Sequence, residues 1–263
     1  MSNPRLPAEM LDHIVDRLHD TENALRNCCL VSKSWIPRAR KHLFAHVWFE
    51  TEYDLESWEG TFPDPSTSPG RYAKTLTINC PHAIRIADGG AEGWIRGFSH
   101  VVHLEIGSSS RLPGTYDDHE SATFLVSLQG LSPFVKSLKI DCVGLPSSRI
   151  FDLILSFPLL EDLTMSNRGS AGVDEDVTFL QPSNPPALTG SLQLVAPGMA
   201  PIANQLLSLQ GGIRFRRFTS TWDRGEDVSL ITALVERCSH TLKSLDICCD
   251  PLGASIRRLH PYR

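Results

Sequence analysis

Residues 135–140 read VKSLKI, apolar at the first, fourth and sixth positions, and this apolar-x-x-apolar-x-apolar pattern recurs along most of the chain. It returns as FAHVWF (44–49), AKTLTI (73–78), VVHLEI (101–106), LEDLTM (160–165), TGSLQL (189–194), FRRFTS (215–220) and LKSLDI (242–247), with TGSLQL and FRRFTS imperfect copies. The fourth residue falls at 47, 76, 104, 138, 163, 192, 218 and 245, in steps of 29, 28, 34, 25, 29, 26 and 27. Alternation over the last three positions sends both apolar side chains to one face of an extended strand. A period of this length marks a repeat whose units bury their apolar sides only against their neighbours.

Between the strands, residues 121–131, 148–157, 200–209 and 228–238 carry apolar residues at helical spacing. Residues 60–71, 107–118 and 166–188 are richer in Gly, Pro, Ser or Asp and read as loops. Two residues past each unit stand Cys80, Ser108, Cys142, Asn167, Ala196, Trp222 and Cys249, a position the alternation turns inward. Three cysteines at one phase fit repeat packing. On the opposite, outward phase lie His103, Glu105, Lys139, Asp141, Asp162, Thr164, Gln193, Arg217, Thr219 and Asp246. Such a face suits protein binding. Of these, His103, Glu105, Lys139, Asp141, Asp162, Thr164, Arg217 and Asp246 are the candidate substrate contacts.

The 263 residues are 41% hydrophobic and 21% charged, with a formal net charge of −5. Residues 1–50 hold seven Lys/Arg and six Asp/Glu, so neither this part nor the acidic remainder has the basic excess of a nucleic-acid binder. No apolar run reaches membrane-spanning length, no signal-peptide core opens the chain, and a cytosolic or nuclear protein is expected. The seven cysteines include no CxxC spacing, and no His/Cys cluster has zinc-ligand spacing, so neither a metal nor another cofactor is expected. No P-loop, GxGxxG, HExxH or GxSxG occurs, and DGGAEG (88–93) reads as a turn. The expectation is a protein without catalytic activity.

The first forty-odd residues have their own organisation. LPAEMLDHIVDRL sets Met10, Leu11, Ile14, Val15 and Leu18 at helical spacing behind Pro7, with Glu9 near the positive end of the helix dipole. Asp20 or Thr21 can cap a second helix carrying Ala24, Leu25, Cys28, Cys29 and Val31; Ser34 can cap a third, where Trp35, Ala39 and Leu43 share a face opposite Arg38, Arg40 and Lys41. Three short helices cannot bury all these apolar side chains in one another. The remainder must meet either the rest of the chain or a partner.

The ordered set L-P-x-E-x-L-x-x-I-x-x-x-L, C-x-L-V-S-K-S-W and a basic stretch ending H-L-F, over residues 6–44, resembles an F-box. It is similar to the F-box proteins abundant in mushroom-forming fungi. The resemblance implies docking on a Skp-family adaptor and, through it, a cullin scaffold of an SCF-type ubiquitin ligase. It places Leu6, Pro7, Leu11, Ile14, Leu18, Leu30, Val31 and Trp35 at or beside the adaptor contact, some of them also serving the small internal core. The later units resemble irregular leucine-rich repeats, which often follow F-boxes, although the usual Asn is mostly missing.

The expected fold is therefore α/β. A three-helix F-box over 1–45 precedes, over 46–263, a curved leucine-rich-repeat-like solenoid of about seven to eight units. Its parallel strands form the concave face, and helices and loops the convex face. The function expected is substrate recognition for the ligase, with an unidentified protein as substrate and neither nucleic acid nor membrane as partner. The alternative is an interaction scaffold acting outside ubiquitination. The chain ends LGASIRRLHPYR with no obvious capping unit, which reads as a truncated product or an irregular cap.

Overall fold

The computed structural model describes residues 7–79, 92–107, 125–131, 133–141, 147–166, 187–195, 199–222 and 228–249. It is an α/β structure. Three helices open it, α1 (Ala8–Arg17), α2 (Glu22–Val31) and α3 (Ile36–Leu43). Pro7 and Thr21 hold the N-cap positions of α1 and α2. The third helix starts one residue later than its sequence suggests, with Trp35 at the N-cap and Pro37 in the first turn. The Ser34 hydroxyl is engaged elsewhere, in a hydrogen bond with the Ser32 hydroxyl at 2.9 Å.

Eight strands follow: β1 (His46–Phe49), β2 (Thr75–Ile78), β3 (His103–Ile106), β4 (Ser137–Asp141), β5 (Asp162–Ser166), β6 (Leu188–Val195), β7 (Ile213–Trp222) and β8 (Ser244–Cys249). They form one sheet in chain order, and every neighbouring pair is parallel. The register aligns the sequence repeat with itself: Val47, Leu76, Leu104, Leu138, Leu163, Leu192, Phe218 and Leu245 stand side by side. Any one-residue slip would turn these side chains to water, so burial fixes the common phase of the strands.

At the start of β2, β3, β4 and β5 one carbonyl of the preceding strand's unit serves two donors. Ala45 accepts from the amides of Lys74 (2.8 Å) and Thr75 (3.0 Å), Lys74 from Val102 and His103, Val102 from Lys136 and Ser137, and Lys136 from Glu161 and Asp162. Glu161 instead accepts from Ser191, at 2.7 Å. There the chain needs Gly190, whose φ of 89° disfavours a side chain and whose added Cβ would lie 1.7 Å from the Glu161 carbonyl oxygen. This explains why TGSLQL departs from the repeat. FRRFTS departs because Ser220 fills a fully buried position taken in the other units by Phe, Ile, Met or Leu, its hydroxyl unpartnered among the described residues.

Helices cover one face of the sheet: α4 (Glu52–Thr61), α5 (Glu92–Arg96), α6 (of which 125–128 are described), α7 (Ser147–Ser156), α8 (Ala200–Ser208) and α9 (Val228–Cys238). Leu55, Ile95, Leu128, Phe151, Leu206 and Leu234 from these helices join the inward strand residues in one continuous core. The helices expected over 148–157, 200–209 and 228–238 are present within a residue or so at each end. Two readings need correction. Residues 60–71 are not all loop, since α4 runs to Thr61 and a 3₁₀ turn spans Pro69–Tyr72. Within DGGAEG, residues 88–91 lie outside the described set and Glu92 already begins α5.

The three-helix unit keeps a separate small core of Val15, Leu25, Cys28 and Ala39, with Leu18, Cys29, Trp35 and Leu43 packed against it. Phe44 joins the two parts. Its ring meets Trp58 edge-on at 6.0 Å and Phe62 at 6.4 Å, beside the Phe49, Trp94 and Phe98 rings of the larger core.

Candidate functional site

Two surfaces carry the expected contacts. On the helical unit, the eight adaptor positions divide by burial. Leu6 lies outside the described residues. Leu18 and Trp35 pack on the unit's own core. Leu11 is half-buried and Pro7 exposed. Ile14, Leu30 and Val31 are 41%, 85% and 68% exposed, and Met10, one turn before Ile14, is 52% exposed. The stripe read along α1 is thus split, because Val15 (1% exposed) turns into the helical core while Met10 and Ile14 turn out. Exposed apolar side chains are ordinary singly. Here four large ones belong to a unit whose own core has only four fully buried members among the described residues.

A polar clamp that sequence reading missed fixes the helices behind these side chains. Asp16 on α1 faces α3, where Arg38 Nε donates to its Oδ1 at 2.6 Å and the Arg38 terminal nitrogen to its Oδ2. His42 Nε2 lies 2.7 Å from the same Oδ1. The Arg38 fork, then the His42 bond, hold the Asp16 carboxyl well below the usual carboxylate range, against a smaller opposing effect of burial; Asp16 in turn raises Arg38. Arg38 is therefore no freely solvated member of the basic helix face, unlike the exposed Arg40 and Lys41. Cys28 is buried and Cys29 packs beside it, with desolvation pushing the Cys28 thiol up, as suits packing rather than reactivity.

The second surface is the sheet face away from the helices. All eight candidate substrate residues lie on it, in three rows. His103, Asp162 and Arg217 share the row of Thr75, Ser137, Ser191 and Ser244. Glu105, Lys139, Thr164 and Asp246 share the row of Trp48, Thr77, Gln193 and Thr219, and Asp141 pairs with Ser166 beyond them. They do not converge on one point: His103 and Asp246 are five strands apart, roughly 24 Å at normal strand spacing.

Nor are the expected charges unengaged. Lys139 pairs with Glu105, and Arg217 lies 3.7 Å from Asp162, which also accepts a hydrogen bond from Ser191. The large apolar exception on this face is Trp48, 61% exposed at its β1 end. Of the cysteines at the inward phase, Cys80 and Cys142 lie outside the described residues, as does the Cys249 side chain. Among the described residues no group of three or more His, Cys, Asp or Glu could hold a metal ion, and no helix is long and apolar enough to cross a membrane. No protein-family model matches this sequence, and no curated protein matches it either.

Proposed function

We propose that this chain is the substrate-recognition subunit of an SCF-type ubiquitin ligase. Its three-helix unit acts as an F-box on a Skp-family adaptor that links it to a cullin. Its strand-bearing part acts as a leucine-rich-repeat-like solenoid that presents the open sheet face to a protein substrate. The reading rests on the F-box-like order of residues 6–44, and one structural observation supports it most. Met10, Ile14, Leu30 and Val31 are exposed on a unit too small to bury them, held in place by the Asp16–Arg38–His42 clamp. A partner that covers such side chains gains roughly 25 cal/mol per Å² of apolar surface removed from water. The chain itself supplies recognition, with no catalytic step.

The test is capture of a purified Skp-family adaptor by the full chain and by Ile14→Asp and Leu30→Asp, which alter exposed positions and leave the internal core alone. Each variant should weaken capture by about tenfold or more while melting like the wild type. Wild-type capture by both variants would overturn the assignment of this surface. Co-purification of a cullin with the adaptor distinguishes the ligase subunit from a scaffold that binds the adaptor for another purpose.

A further inference from the structure

We propose that Arg214, Arg216 and Lys243, at the β7–β8 end of the sheet, form a docking site for an acidic segment of a partner protein. The inference rests on the reading that the open side of the sheet takes a protein, and it specifies the chemistry of that protein. It begins in the local sequence IRFRRF (213–218). Ile213, Phe215 and Phe218 are buried, so Arg214, Arg216 and Arg217 are turned out, and all three are exposed. The irregular register between β6 and β7 makes this possible. Gly190 pairs with Phe215 and Ser191 with Arg217, leaving Arg216 as an extra residue in β7.

Lys243 comes from the adjoining strand. Its amide donates to the Arg216 carbonyl at 2.7 Å, one step before the registered pair Arg217–Ser244. The two cationic side chains therefore start about 5 Å apart. Like charges so placed repel. On the other flank of Arg216, Gly190 supplies no side chain.

Among the described residues no ion pair reaches Arg214, Arg216 or Lys243. Elsewhere along the sheet Lys136 meets Glu161 at 2.9 Å, Lys139 meets Glu105, and Arg217 lies near Asp162. Lys74 is also exposed, with no ion pair among the described residues, but its row neighbours are Ala45 and Val102, so no second cation adjoins it in that row. Among the described residues these clustered cations lack a counter-charge, so an anionic partner would relieve their mutual repulsion. Arginine forks match carboxylates in pairs. Arg214 and Arg216 lie about 7 Å apart along one strand, the spacing of alternate residues in an extended peptide. Nucleic acid fits less well. The chain as a whole is acidic, and no exposed aromatic stands among these residues to stack on a base.

The experiment is fluorescence anisotropy of a labelled ten-residue poly-glutamate peptide with the full chain, at low and at high salt. The wild type should bind, with affinity falling as salt rises. Arg214→Glu with Arg216→Glu should weaken binding by about tenfold or more, and Lys74→Glu should leave it unchanged. If the double reversal melts early, Arg214→Gln with Arg216→Gln decides the point and should still weaken binding. Failure of the wild type to bind would overturn the proposal. So would equal binding by the variants, or tighter binding of an oligothymidylate than of the peptide. Adaptor capture measured on the same preparations separates the two readings. Peptide binding without adaptor capture upholds this site and sinks the ligase assignment, whereas adaptor capture without peptide binding sinks this site alone.

Discussion

Residues 7–44 and the strand-bearing remainder both set apolar residues at regular spacing, yet they use them differently. In the sheet, most inward side chains are covered by the next unit and by the helices behind them, and forty buried residues join one core among those described. In the helical unit the spacing is as regular, but the described core has four buried members, while Met10, Ile14, Leu30 and Val31 face water. Stacked units cover one another, whereas three short helices cannot bury all their apolar side chains in one another. Among the described residues of β8, Leu245 and Ile247, inward by phase, are 37% and 39% exposed.

If the two cores are distinct, damage to one should not spread to the other. Phe151→Ala, at a fully buried site in the larger core, should cost about 3–5 kcal/mol, seen in denaturant unfolding followed by circular dichroism. Leu25→Ala, about 2–5 kcal/mol at its own site, should accelerate hydrogen exchange in α1–α3 and leave the strand amides protected. Faster exchange throughout β2–β7 would mean that Phe44 and its aromatic neighbours make the two parts one cooperative unit. A smaller loss is expected at the repeat's irregular step. Gly190→Ala should destabilise the sheet by about 1–3 kcal/mol, because φ is positive and the Glu161 carbonyl blocks the methyl group. A thermal melt identical to the wild type would show that the strand shifts without strain.

The clamp on the helical unit carries a pH signature. Asp16 has a depressed folded-state pKa, so its contribution is complete above the ordinary Asp value of about 3.9 and is lost as pH falls through the folded value. Asp16→Asn should therefore melt below the wild type near neutral pH, and the gap should close in strong acid. A gap that widens on acidification would remove Asp16 from this role. The smallest stability effect belongs to the exposed apolar residues. Leu30→Ser should change stability by no more than about 0.5 kcal/mol, since its side chain is 85% exposed, while still weakening adaptor capture. A large drop in melting temperature would mean that Leu30 supports the helices.

Much of the sheet was legible in the sequence because its signal is local. An apolar residue followed two positions later by another, repeated every 25–34 residues, specifies both the strand and the alignment that buries it. The helix Val228–Cys238 coincides with the segment read from its spacing. The missed helix α4 also left a local trace, the Thr51–Asp54 capping box ahead of Leu55 and Trp58. Leu55 is its one buried residue among those described, which gave the apolar pattern little else to show.

Local patterning along the chain is enough to specify the repeating strands, their common phase, the outward position of the candidate substrate residues and a helical unit at the start. Tertiary structure decided which apolar residues of that unit face out, because helical spacing defines a stripe and only the packing of neighbouring helices selects the covered part of it. It also decided the charge pairs. Asp16 reaches Arg38 and His42 across 22 and 26 residues, and Lys139 reaches Glu105 across 34. Nothing in local spacing encodes those meetings, because they depend on where whole elements come to rest. For the same reason the lack of any such pair at Arg214, Arg216 and Lys243 among the described residues emerges only from the assembled sheet.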